Sequence, residues 1–112
     1  MRPARRYSRQ TKLAAVGQAG QARIAAAAAS AGDGLAGWVA ARYLAGAGVG
    51  ELRVGSEAIA RAARAVDDSV RVEVAGERLA EDERFSPLDP AAREVAVGAH
   101  RAVVALMRAL RS

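Results

Sequence analysis

Residues 24–37 read IAAAAASAGDGLAG, and the fold turns on how this stretch is parsed. Gly32, Gly34 and Gly37 form a G-x-G-x-x-G. That spacing suits the corner where a parallel strand enters a helix. The first glycine permits the tight turn, the second lets backbone N–H groups approach a phosphate, and the third lets the helix pack on the strand. A strand must then precede the glycines, yet the positions concerned are almost all alanine, which intrinsically prefers helix. A strand buried against helices also accepts small residues, so local propensity leaves residues 24–31 open between helix and strand.

Working outward, the apolar spacing of Leu35, Val39, Tyr43 and Ala47, with Leu44 beside them, predicts a helix over 35–47 that Gly48 stops. GELRVGS then supplies a short strand with Leu52 and Val54 as its apolar pair, and Ser56 caps a helix over 57–66 through Ile59, Ala63 and Val66. In SVRVEVAG (69–76), Val70, Val72 and Val74 alternate with Arg71 and Glu73, the pattern of a strand at a sheet edge. Upstream, residues 8–23 read as a short helix or a pair of helical turns, capped by Ser8 and weakened by Gly17 and Gly20. Residues 77–88 are polar and irregular, with Phe85 as a core plug. Asp89 and Pro90 are an N-cap and first-turn pair opening a long helix to Leu110. Its expected apolar stripe is Val95, Ala99, Ala102/Val103, Leu106 and Leu110. Alternating helices and strands predict an α/β sandwich with a mainly parallel sheet.

Composition narrows the chemistry. The chain has 112 residues, enough for one domain (1–112) with a basic N-terminal arm over 1–7. Aromatic residues make up only 4%, so the core must come from Ala, Val, Leu and Ile. Cysteine is absent and His100 is the single histidine, which leaves no thiolate nucleophile and no zinc site to expect. No acidic cluster has metal-ligand spacing, so no metal site is expected either. No apolar run reaches the ~18 to 20 residues of a membrane span, and the expected location is cytoplasmic. The net charge is +5, concentrated at Arg2, Arg5, Arg6, Arg9 and Lys12. With base-stacking aromatics so scarce, that cluster reads as a solvated arm rather than a nucleic-acid site.

Several motifs fall in one order: RYSRQ at 6–10, GQARI at 20–24, the glycine turn at 32–37 and RYLAGAGVGELRV at 42–54. Together they resemble the N-terminal half of the ubiquitin-activating-enzyme-like ThiF/MoeB/HesA adenylyltransferases. AARAVDDSVRVEVAGERL (62–79) is similar to that family's next helix and strand, and AVGAHRAVVALMRAL (96–110) to its C-terminal helix. The resemblance implies a small Rossmann-like three-layer sandwich of about three mainly parallel strands. In that register the alanine tract is a central strand. The resemblance further implies ATP on Gly32, Gly34 and Gly37, with Arg9 reaching the phosphates across a dimer. The implied partners are a homo- or hetero-dimer mate of ThiF type and a ubiquitin-like or sulfur-carrier protein, whose C-terminus the family adenylates.

The departures bear on activity. Where the family's second strand ends in a ribose-binding Asp, this chain has Val54-Gly55-Ser56, which leaves Glu57 as the substitute. SEAIARAARAV carries no equivalent of the family's phosphate-binding Asn and Arg. The family's phosphate lysine, magnesium Asp and cysteines have no counterpart. Asp33 would place a carboxylate beside a triphosphate, a repulsion of about 3 to 4 kcal/mol at ~4 to 6 Å and an effective dielectric near 20. As an N-cap the same residue would stabilise the helix instead. The expectation is a degenerate ThiF-type domain, catalytically inactive, serving as a binding or dimerisation module. The alternative is a minimal ATP-dependent adenylyltransferase that uses Arg9, the three glycines and Glu57.

Overall fold

A computed structural model describes residues 17–75 and 88–111. The alanine-rich stretch splits between two elements. Helix α1 (Gly17–Ala26) buries Gly20 and Ile24, and strand β1 (Ala28–Gly32) starts only after Ala27. The split falls where it does because the Ala27 carbonyl accepts from the Glu51 N–H, opening the parallel ladder to β2, while the Ala27 N–H still donates to Ile24 at the helix end. Alanine's helical preference thus prevails through residue 26, and cross-strand pairing prevails from 28 onward.

Helix α2 (Gly34–Ala47) follows the glycine turn and ends at Gly48, whose φ of 95° lets its N–H close onto the Leu44 and Ala45 carbonyls. Strand β2 (Glu51–Val54) leads to helix α3 (Glu57–Val66), where the Ser56 hydroxyl accepts from the Ile59 N–H at 3.3 Å as the predicted cap. Strand β3 (Arg71–Val74) completes the sheet. Helix α4 (Pro90–Arg111) opens as expected, with Asp89 Oδ1 accepting from the Ala92 N–H at 3.1 Å. The predicted helix over 8–23 is seen from Gly17 onward and runs three residues further, to Ala26. Ser8, Arg9, the 1–7 arm and Phe85 lie outside the described residues.

The sheet order is β1-β2-β3, parallel throughout, giving the expected small Rossmann-like α/β architecture of four helices and three strands among the described residues. β3 lies at an edge, as its alternation predicts. β1 is the other edge, which corrects the expectation of a central strand for the alanine tract: β2 holds the middle position. Leu52 and Val54 are buried beneath α2 and α3, while Glu51 and Arg53 point to the opposite, exposed face. In register beside them stand Arg71 and Glu73, paired to Glu51 at 3.1 Å and Arg53 at 3.9 Å respectively. These exposed pairs contribute little to stability, but they keep that face polar.

The core is built from Ile24, Leu44, Val49, Leu52, Val54 and Ile59, with alanines filling the rest, as the shortage of aromatics requires. Two helix faces differ from expectation. On α2, Val39, Leu44 and Ala47 are buried as expected, but Leu35 and Tyr43 are exposed, and Ala36, Gly37, Ala40, Ala41 and Ala45 fill the buried face instead. On α4, Val95 and Val103 are exposed, and the inward residues are Gly98, Ala102 and Ala109. The reason is distance between the helices. α4 packs so closely on α2 that a methyl at Gly98 would stand 2.4 Å from the Ala36 carbonyl oxygen and 2.8 Å from Val39 Cβ. Only small residues fit that seam, so the large ones are turned outward.

Gly98→Ala sets two effects against each other. Helix propensity favours alanine by about 1 kcal/mol, whereas overpacking a close seam costs about 1 to 3 kcal/mol. Since the obstructing atoms are backbone and Cβ, urea denaturation should show a net loss of about 1 kcal/mol or more. A stabilised variant would mean that α4 does not seat on α2 as described.

Candidate functional site

The corner between β1 and α2 has the geometry its glycines imply. Gly32 (φ 84°) and Gly34 (φ 69°) both occupy the left-handed region that other residues avoid, and the space above Gly34 is open. At Gly37 a side chain would strike the Gly32 carbonyl, at 2.3 Å from the oxygen, so this glycine lets α2 cross directly over the end of β1. Gly37 N–H donates to the Asp33 carbonyl at 3.0 Å, the first hydrogen bond of the helix. The Gly32 carbonyl in turn accepts from the Gly55 N–H at 2.8 Å, tying the corner to the end of β2.

Asp33 occupies the N-cap position with extended backbone (φ −117°, ψ 178°), but its side chain makes no capping hydrogen bond. The capping role expected of it is therefore a backbone role alone. Its side chain is turned toward β2, where a methyl on Gly55 would come within 2.3 Å of Asp33 Cβ. Gly55 is thus the residue that makes room for Asp33 in the crevice between the two turns.

The free N–H at the start of α2 finds a carboxylate elsewhere. Ala36 N–H donates to Glu94 Oε2 at 3.2 Å, across 58 positions of sequence. Helix N-termini attract anions because their first N–H groups lack intrahelical acceptors and the peptide dipoles add up there. Seven residues further along α4, Arg101 donates from Nη1 to the Ala31 carbonyl. Burial pulls the Arg101 guanidinium below its ordinary range, and the Glu94 carboxylate acts in the opposite direction. One N–H of α2, one carbonyl of β1 and two oppositely charged side chains of α4 therefore form a single clasp around the glycine corner.

Glu57, the expected ribose ligand, sits in the first turn of α3, two residues past Gly55. Its carboxylate lies 3.5 Å from Arg64 Nη1 in an exposed ion pair. The structure therefore brings Gly32, Gly34, Gly37 and Asp33 together with Gly55, and adds Glu94 and Arg101, which sequence reasoning did not single out. The only local signal for Glu94 is an acidic residue near the start of a long helix, where dipole compensation within its own helix is the ordinary reading. Among the described residues no group of three or more His, Asp or Glu side chains gathers in a way that could hold a metal ion. None of their helices is long and apolar enough to cross a membrane.

A separate concavity, a trough of about 1040 Å³, lies along the exposed face of the sheet, walled by α4. Its lining stops at Ser30 and does not include the glycine corner. No family model matches this chain, and neither a curated protein nor a solved structure matches it.

Replacing the carboxylate by its neutral isostere tests the clasp. Glu94→Gln should lower stability by about 0.5 to 1 kcal/mol at low salt, and the difference should shrink as ionic strength rises. Urea titrations at two salt concentrations measure both effects. An unchanged midpoint at low salt would mean that the carboxylate does not serve the α2 N-terminus.

Proposed function

We propose that this chain is a degenerate ThiF-type domain that keeps the strand–glycine turn–helix corner of the adenylyltransferases without their chemistry and works as a binding or dimerisation module. The observation that carries the reading is the Glu94 carboxylate on Ala36 N–H, at the helix end where a nucleotide phosphate would rest. A triphosphate there would have to displace Glu94 and would meet Asp33 a few residues away. As arranged, the residues do not fit that group. Glu57 stands in an exposed ion pair with Arg64.

The binding role draws support from side chains left outside the core. Trp38 (39% exposed) and Tyr43 (62%) on α2, with Val103 (53%) and Met107 (52%) on α4, put large apolar groups on the surface of two helices that pack on each other. The Arg42 guanidinium lies 4.6 Å from the Trp38 ring centroid and covers part of it. Aromatic residues and Met of this kind are enriched in the cores of protein interfaces. The partner in this reading is a ThiF-like chain, its own copy or a complete homologue, and the second partner is a ubiquitin-like or sulfur-carrier protein.

Calorimetric titration of the pure protein with ATP and magnesium should give no saturable binding at micromolar nucleotide. Crosslinking followed by mass measurement should show a dimer whose yield is the same with and without ATP and falls in a Trp38→Ser, Met107→Glu double variant. Micromolar ATP affinity together with carrier-dependent pyrophosphate exchange would instead establish the minimal adenylyltransferase. A monomer under all conditions, with no gain on adding a complete ThiF-type homologue, would remove the dimerisation role.

A further inference from the structure

The outer edge of β3 is separate from both the glycine corner and the outward residues of α2 and α4, so what joins it is independent of the ThiF-type reading. Among the described residues β3 pairs with β2 alone. The Arg71 and Ala75 N–H groups donate toward β2, to the Gly50 and Val54 carbonyls, each at 2.9 Å. Across the same planar trans peptides, the Val70 and Val74 carbonyls point the opposite way, off the sheet. Backbone groups alternate in direction along a strand, so the N–H and C=O of Val72 and the N–H of Val74 point outward too. Such a row is a template for another strand. The Val70 N–H takes no part in it, because it donates to the Asp67 carbonyl at 3.3 Å.

The side chains say which strand fits. Val72 and Val74 stand in register with the buried Leu52 and Val54 on the core face, yet Val74 remains 43% exposed, with no strand beyond it among the described residues. Arg71 and Glu73 are exposed on the opposite face. An antiparallel second copy would set outward-pointing residues against outward-pointing residues, which limits the register to a few centres. Centring on Arg71 or on Glu73 puts like charges directly opposite each other. Centring on Val70 or on Val74 leaves Glu73 facing Asp67 or Ala75. Centring on Val72 sets Arg71 against the partner's Glu73 and Glu73 against the partner's Arg71. Charge therefore selects one register.

In that register neither charge has to leave the ion pair it already makes. Arg71 pairs with Glu51 and Glu73 with Arg53, and all four side chains are exposed. A charge within a sheet has a neighbour on each side, and the added strand supplies the second one. Each row across the joined sheets then alternates in sign: Arg53, Glu73, the partner's Arg71, the partner's Glu51. These opposed charges occupy non-hydrogen-bonded positions, where facing side chains come closest. Val72 exchanges both backbone hydrogen bonds with the partner's Val72, and the Val74 N–H donates to the partner's Val70 carbonyl. On the core face the exposed Val74 gains the partner's Val70 as its neighbour.

We infer that two copies of this chain join through the outer edges of β3, antiparallel about a two-fold axis at Val72, into one continuous sheet. Sedimentation equilibrium of the full chain tests this by charge complementation. Arg71→Glu leaves only acidic charge on the strand and Glu73→Arg only basic charge, so each variant alone should self-associate about tenfold or more weakly than the wild type. An equimolar mixture of the two sets an acidic strand against a basic one and should restore the dimer. Each variant lacks the same intrachain ion pair alone and mixed, so the recovery cannot come from monomer stability. In the wild type, hydrogen exchange at the Val72 and Val74 amides should slow as concentration rises, while the Arg71 amide stays protected throughout. The Trp38→Ser, Met107→Glu double variant should keep this association, which separates it from any dimer made through the helices. A dimer lost in that variant would place self-association on α2 and α4 and overturn the inference. So would a monomer at every concentration, a charge variant that associates like the wild type, a mixture that stays monomeric, or a dimer whose Val72 and Val74 amides exchange as fast as in the monomer.

Discussion

Where helix α4 sits on the β1–α2 corner decides most of what this molecule is, and that seat depends on two fits. Glu94 supplies an acceptor to the Ala36 N–H, and Gly98 removes the side chain that would keep the helices apart. With α4 drawn in, Arg101 reaches the Ala31 carbonyl and is partly desolvated there. The same placement raises one flank of α4 beside the sheet and forms the wall of the trough. Remove the close approach, and the clasp and the trough wall would move together.

The helix N-terminus explains why a carboxylate was recruited. An α-helix beginning at a glycine turn has N–H groups with no partner of its own, and its peptide dipoles favour negative charge there. In a nucleotide-binding corner a phosphate answers that demand. Here Asp33 stands at the cap but turns its side chain over Gly55, so the acceptor comes from another helix. The glycine spacing and the internal carboxylate fit together: the glycines keep the backbone open at the corner, and Glu94 fills the electrostatic need that openness creates.

Small residues govern the rest of the packing. With few aromatics available, α2 is buried through alanines, Val39 and Leu44, and α4 through Gly98, Ala102 and Ala109. Close helix packing gains dispersion contacts that larger side chains would obtain by volume. The consequence is inverted placement: Trp38, Tyr43, Val103 and Met107 are displaced from the seam to the surface, where they are available to a partner.

Much of this was legible in local sequence. The Ser56 and Asp89 caps, the stop at Gly48, the alternation in β3 and the glycine corner each follow from interactions within a few residues, and each is where the sequence places it. Three features were not legible. Residues 24–32 divide between helix and strand only because Glu51 pairs with Ala27. The inward faces of α2 and α4 are set by how near the helices approach, so ranking side chains by hydrophobicity found Ala102 but also selected the exposed Val95, Val103 and Tyr43, and passed over Gly98 and Ala36. Glu94 meets Ala36 across 58 positions, a proximity that no spacing rule within one helix can express. Local hydrogen bonding and steric limits therefore fixed the elements and their ends. Long-range packing chose which faces touch, which strand lies at the edge and which anion serves the corner, because those choices depend on distances between elements that are set only when the whole chain closes on itself.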